Sequence, residues 1–229
     1  MEFIIIAVFS LILSIILGAI FDYNIKKIKK IGEDKELDEL AKKYPNNIEL
    51  CEKYLKKINN NTVKIEENKD SEASLYIAIT NKISIANISN TYTRIQTIAH
   101  ECLHSIQDRK ILLFNFIFSN IYLLYFVSIC ILAVLRKLPS QMLFLSIFLL
   151  LSMVYYMVRI YLENDAMIKA RYLAKEYMEE AKISTPDEVE KLVAGFDKIN
   201  SIGIKCINYK FFADIMIKVA IFCLICIAR

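Results

Sequence analysis

Four long apolar runs constrain this chain more than any other feature. Residues 3–20, 111–135, 142–162 and 209–228 are each close to the length that crosses a ~30 Å hydrocarbon layer as a helix. A soluble domain has no core large enough for so many apolar side chains in 229 residues, 56% of them apolar with a mean hydropathy of +0.39. Four Gly and three Pro suit a mostly helical chain. The expected fold class is therefore a mainly α integral membrane protein with about four transmembrane helices and a small α+β layer at the membrane surface.

The runs divide the chain into a span at residues 3–20, a soluble layer at 22–110, a transmembrane hairpin at 111–162, a helical segment at 163–208 and a last span at 209–228. A cleaved signal peptide carries positive charge ahead of its apolar stretch, whereas only Glu2 precedes residues 3–20, so an uncleaved anchor is expected. Lys26, Lys27, Lys29 and Lys30 follow it and place that end on the cytoplasmic face of a bacterial-type cell membrane, although Arg136 and Lys137 on the opposite loop dilute the bias. Within the soluble layer, apolar spacing predicts helices over residues 34–44 and 48–58, with Pro45 and the Asn59, Asn60, Asn61 run as breaks. Alternation at 62–66, 75–79 and 83–88 predicts a short antiparallel sheet. Asn90 or Thr91 then caps a helix that carries Ile95, Ile98, His100, His104 and Asp108. Thr185, Pro186 and Glu188 mark the start of a helix to about Ile202.

Both histidines of the chain lie in His100-Glu101-Cys102-Leu103-His104. Two randomly placed His would fall four apart in about 1 arrangement in 100, and a Glu after the first makes chance rarer still. Residues four apart share a helix face, so two imidazoles can hold one Zn²⁺ while Glu101 serves as general base toward water at the metal. This is the HExxH pattern of zinc hydrolases, and it makes the surface layer zincin-like. Cys102 projects to about 200° from His100 and belongs with the core. The six Cys suggest no disulfide framework or Cys-rich metal cluster; Cys223 and Cys226 form a C-x-x-C, but inside an apolar run, where it reads as packing rather than redox chemistry.

Catalytic zinc usually has three protein ligands and an open position. Two crossings through the hairpin return the chain to its starting side, and the first polar residue on return is Glu163. A His100, His104, Glu163 set follows, with two alternatives open. Arg159, one turn earlier, can pair with Glu163. Asp165 is the rival carboxylate, or an acceptor for the second N–H of a ligand imidazole. Asp214 and Lys218, four apart in the last run, read as an ion pair inside the membrane or as lining of a wet cavity. The strand at 83–88 offers an edge along which an extended substrate can pair.

Ala99-His100-Glu101-x-x-His104-x-x-Gln107, the preceding Ile83-Ser84-Ile85, the hairpin and Glu163-x-Asp165-Ala166 resemble the YugP-like neutral zinc metallopeptidases along almost the whole chain. HtpX-like membrane proteases share the order of HExxH, hairpin and Glu. The chain departs from the YugP-like pattern at Leu103, where glycine is usual, and at Asp108, which replaces a histidine. The resemblance implies zinc on the two His and the post-hairpin Glu, with hydrolysis of a peptide or membrane-protein substrate at the bilayer. The alternative is a catalytically inactive zinc-binding membrane protein that acts as an assembly or binding subunit. The formal charge of +4 requires no nucleic-acid partner.

Overall fold

A computed structural model describes residues 1–68, 70–71, 73–88 and 91–228. The chain is mostly helical, at 74%, with one three-stranded sheet. The apolar run at the start forms α1 (Glu2–Ile20), which ends in a turn through Asp22 in the left-handed region at φ 51°. Three short helices then begin on side-chain caps, each occupying backbone N–H groups that a helix leaves without partners. Asn24 caps α2 (Ile25–Gly32), Asp34 caps α3 (Lys35–Lys42) and Asn46 caps α4 (Asn47–Lys57). The lysine cluster thus lies on a helix of its own, which apolar spacing alone does not mark out.

The sheet differs from the expected antiparallel one. Its strands β1 (Lys64–Glu67), β2 (Leu75–Ile77) and β3 (Lys82–Ile85) lie in the order β1-β3-β2, with β1 parallel and β2 antiparallel to β3. Burial explains the order: Ile83 and Ile85 are fully buried, so β3 takes the centre and the more exposed β1 and β2 take the edges. Only the β2–β3 hairpin, which turns through Asn81 at φ 48°, is antiparallel.

Helix α5 (Arg94–His104) carries the histidines. Of the two expected caps, Asn90 lies outside the described residues, and the Thr91 hydroxyl donates to the Ile88 carbonyl instead. Thr93 occupies the cap position without a side-chain bond. The helix also stops four residues short of Asp108. Tight turns over residues 105–107 end it, and Asp108 instead accepts from the Lys110 and Leu112 amides at 2.7 and 3.0 Å to start the next helix, α6 (Arg109–Val134). α7 (Gln141–Ala181) then runs unbroken through both the apolar residues and Glu163. A reciprocal pair of bonds, Thr185 N–H to Glu188 Oε2 and Glu188 N–H to Thr185 Oγ1, opens α8 (Pro186–Ile227). α8 does not end near Ile202 as expected. A single Gly203 costs a helix about 1 kcal/mol, less than stranding a turn of carbonyls.

Two units make up the chain. The first contains Met1–Tyr23, Phe114–Tyr161 and Lys205–Arg229. Its core includes Ala7, Tyr122, Ile129, Phe148, Ile215 and Phe222, so the end of α8 packs in one cluster with α1, α6 and α7. Ser14 lies 3.4 Å from the Tyr209 hydroxyl, and a Cβ at Gly18 would sit 2.9 Å from that same oxygen, so small residues on α1 admit the Tyr209 ring. Large apolar side chains face outward, including Phe9 and Ile15 at 61% and 72% exposed, the arrangement lipid allows and water does not. Among the described residues, three helices, α1, α6 and α7, are long and apolar enough to cross a membrane. The last eighteen residues of α8 contain Lys210, Asp214 and Lys218 and are less uniformly apolar. The second unit contains Asn24–Leu113 and Leu162–Ile204, around Leu50, Tyr54, Ile83, Ile95, Ile98 and Phe196.

Candidate metal centre

The inward face of α5 is built from Ile95, Ile98, Ala99 and Cys102, all fully buried in the core of the second unit. Cys102 is core, as its angle from His100 implies, and its Sγ lies 3.5 Å from that of Cys51. His100 and His104 stand one turn apart beside this face, part-buried, with ring planes at 88° and centroids 4.5 Å apart. From α7, Glu163 meets both rings.

Three ligand-type atoms converge here. His100 Nε2 and His104 Nε2 are 3.0 Å apart, and Glu163 Oε2 lies 3.5 Å from the first and 3.7 Å from the second. A triangle with these edges has its corners about 2.0 Å from its centre, which matches zinc–nitrogen and zinc–carboxylate distances of about 2.0–2.2 Å. The three residues thus form a group able to hold a metal ion. Asp165 does not join it. Its Oδ2 accepts from Gln107 Nε2 at 3.1 Å and its Oδ1 pairs with Lys169 Nζ at 2.5 Å. Two residues along a helix from Glu163, it faces another way.

The charges in the group reinforce each other. Burial would raise the Glu163 carboxyl, but hydrogen bonds and charge from His100 and His104 outweigh it and hold the group well below the usual carboxylate range. Burial would lower His104, yet Glu163 and Glu101 pull it upward overall. Glu101, 6% exposed, behaves in the opposite way to Glu163. Burial pushes its carboxyl up, offset in part by the two imidazoles and by the backbone amide of Tyr76 on β2. One carboxylate is thus held ionised beside the imidazoles while its neighbour is made a better proton acceptor.

Gln107 is the site residue to which spacing assigns no role. Its Oε1 lies 2.8 Å from His104 Nδ1, while its Nε2 donates to the Leu162 carbonyl at 2.8 Å and to Asp165. Three residues past His104, it lies within reach of that ring. Comparison of the chain with protein-family models, curated proteins and solved structures returned no match.

Proposed function

We propose that this protein is a membrane-bound zinc metallopeptidase of the YugP-like type, with the HtpX-like proteases as its near competitor. The observation that carries the proposal is the convergence of His100 Nε2, His104 Nε2 and Glu163 Oε2 at zinc-ligand spacing, with a buried Glu101 on the same helix. Zinc, when bound, supplies a Lewis acid that polarises the scissile carbonyl and acidifies the attacking water. Glu101 takes the proton from that water and passes it to the leaving amine, a role suited to a carboxyl whose proton affinity burial has raised. His100, His104 and Glu163 would hold the ion.

The expected substrate edge moves from β3, now the central strand, to β2, whose Tyr76 amide neighbours Glu101. An extended peptide added to that edge would lie alongside the general base. Residues 209–228 form a fourth span in this reading. Support comes from their packing with α1, α6 and α7 and from Asp214 and Lys218, which pair with each other while the Lys218 ammonium lies 5.3 Å over the Tyr122 ring. The site faces the cytoplasm, on the side of the α2 lysines.

Zinc content and cleavage of a peptide library by the purified protein in detergent test the assignment. Glu101→Gln should retain zinc and lose at least about 100-fold in cleavage, the scale of general acid–base catalysis. A wild type that binds zinc and cleaves nothing, with Glu101→Gln equally silent, would instead establish the non-catalytic binding subunit.

A further inference from the structure

We propose that Gln107 is a positioning residue that fixes His104 in the Nδ1–H tautomer and so aims the His104 Nε2 lone pair at the metal position. The proposal rests on the metal-centre reading above and extends it to a residue outside the ligand set. The orientation of the Gln107 amide follows from its neighbours. A backbone carbonyl and a carboxylate only accept hydrogen bonds, so the end of the amide that meets Leu162 O at 2.8 Å and Asp165 Oδ2 at 3.1 Å is the NH₂ group. Its carbonyl oxygen is left to face His104 Nδ1 at 2.8 Å. An amide oxygen has no proton to give, so the hydrogen in that contact belongs to His104. In the neutral ring, the form that can bind a metal, this is the one N–H, so Nε2 presents a lone pair toward His100 and Glu163; a bond from Nε2–H to Glu163 belongs to the doubly protonated ring.

The reverse orientation is disfavoured twice over, because it would set the Gln107 oxygen against both the Leu162 carbonyl and the Asp165 carboxylate. Lys169, paired with Asp165 Oδ1 at 2.5 Å, keeps that carboxylate charged and in place. Lys169, Asp165, Gln107 and His104 thus form a chain of contacts in which each member sets the polarity of the next. Leu162 and Asp165 also flank Glu163 in sequence. One side-chain amide therefore ties the end of α5, which supplies two ligands, to the turn of α7 that supplies the third.

The chain has two histidines, so the imidazole region of a ¹⁵N spectrum contains two rings and is open to direct reading. The test uses histidine-labelled full-length protein in micelles, stripped of metal and held at alkaline pH, with His100→Gln to assign the rings. His104 of the wild type should be protonated at Nδ1. Gln107→Met, which removes the acceptor from Nδ1, should shift it toward Nε2–H and weaken zinc binding by about 10–100-fold in chelator competition. An Nε2–H His104 in the wild type overturns the proposal even if no variant folds. So does a Gln107→Met protein with unchanged tautomer and zinc affinity. A wild type with the Nδ1–H tautomer that binds no zinc overturns the metal-centre reading and leaves the positioning of His104 standing.

Discussion

Arg94 brings a guanidinium into the core of the second unit at 4% exposure, and its partners are oxygens at the end of another helix. It donates to the carbonyls of Ala41, Tyr44 and Pro45 at 2.8, 2.9 and 2.7 Å and to Asn47 Oδ1 at 3.3 Å. Ala41 belongs to the last turn of α3 and Tyr44 lies just beyond it, where the negative end of the helix dipole favours a cation. Arg94 is also the first residue of α5, so this one side chain ties the start of the histidine helix to the end of α3. Arg94→Met should cost about 3 kcal/mol or more, because it strands buried acceptors, and Arg94→Lys roughly half as much, since one ammonium cannot serve a spread of four oxygens. Guanidinium unfolding in detergent measures both. None of this was legible from spacing, because the acceptors are backbone atoms some fifty residues away in the chain. The His100 and His104 pair was legible because helical geometry alone puts residues four apart together. Glu163 was reached by counting crossings. The role of Gln107 was hidden because its amide is oriented by Leu162 and Asp165, which lie far along the chain on α7.

At the scale of elements, the start of α8 at Thr185 and Glu188 was legible, whereas the expected Thr91 cap and the expected helix ends near Asp108 and Ile202 were not met. Caps at Asp34, Asn46 and Thr185 act locally, through bonds between residues two or three apart, and so can be recognised from a few letters. Strand order cannot, since it depends on which strand the core selects for its centre. Helix α8 shows how context decides continuity, because it runs through two glycines whose surroundings differ. A Cβ at Gly195 would lie 2.7 Å from Leu37 Cδ1 and 3.0 Å from the Tyr92 ring, and that ring is fully buried and stacked on Phe196. A Cβ at Gly203 would meet only the end of the flexible Met167 side chain, at 2.9 Å. Gly195→Ala should therefore destabilise by about 1–3 kcal/mol through overpacking. Gly203→Ala should be neutral or stabilise by up to about 1 kcal/mol, as Met167 moves aside and the helix gains propensity. Opposite signs in thermal unfolding of the two variants would confirm this; equal losses would mean that α8 is as tightly packed at Gly203 as at Gly195.

For the molecule as a whole, the number of crossings decides the side on which each segment lies, and parity makes this testable with one reporter. α1, α6 and α7 are long and apolar enough to cross. If these were the only spans, residues 22–110, the segment after Glu163 and the end of α8 would all share one side. If residues 209–228 also cross, the end of α8 lies on the opposite side, with the 135–140 turn. Charge alone does not decide between them: Lys210, Asp214 and Lys218 interrupt the last run, but Asp214 and Lys218 pair with each other and Lys218 rests over Tyr122, which lowers the cost of burying them. The packing of Ile215, Val219, Phe222 and Cys223 in the same cluster as Tyr122, Ile129 and Phe148 favours crossing. A reporter enzyme that is active only outside the cytoplasm, fused after residue 228, should therefore be active, as should one inserted in the 135–140 turn, while one inserted near Asn61 should be silent. Replacing Asp214 with Ala leaves Lys218 without its carboxylate in the bilayer, at a cost of about 2.5–3.5 kcal/mol on insertion scales, and should move a measurable share of the residue-228 fusion to the silent side. Silence of that fusion in the unmodified chain would reduce the protein to three spans and return the end of α8 to the side of the metal centre.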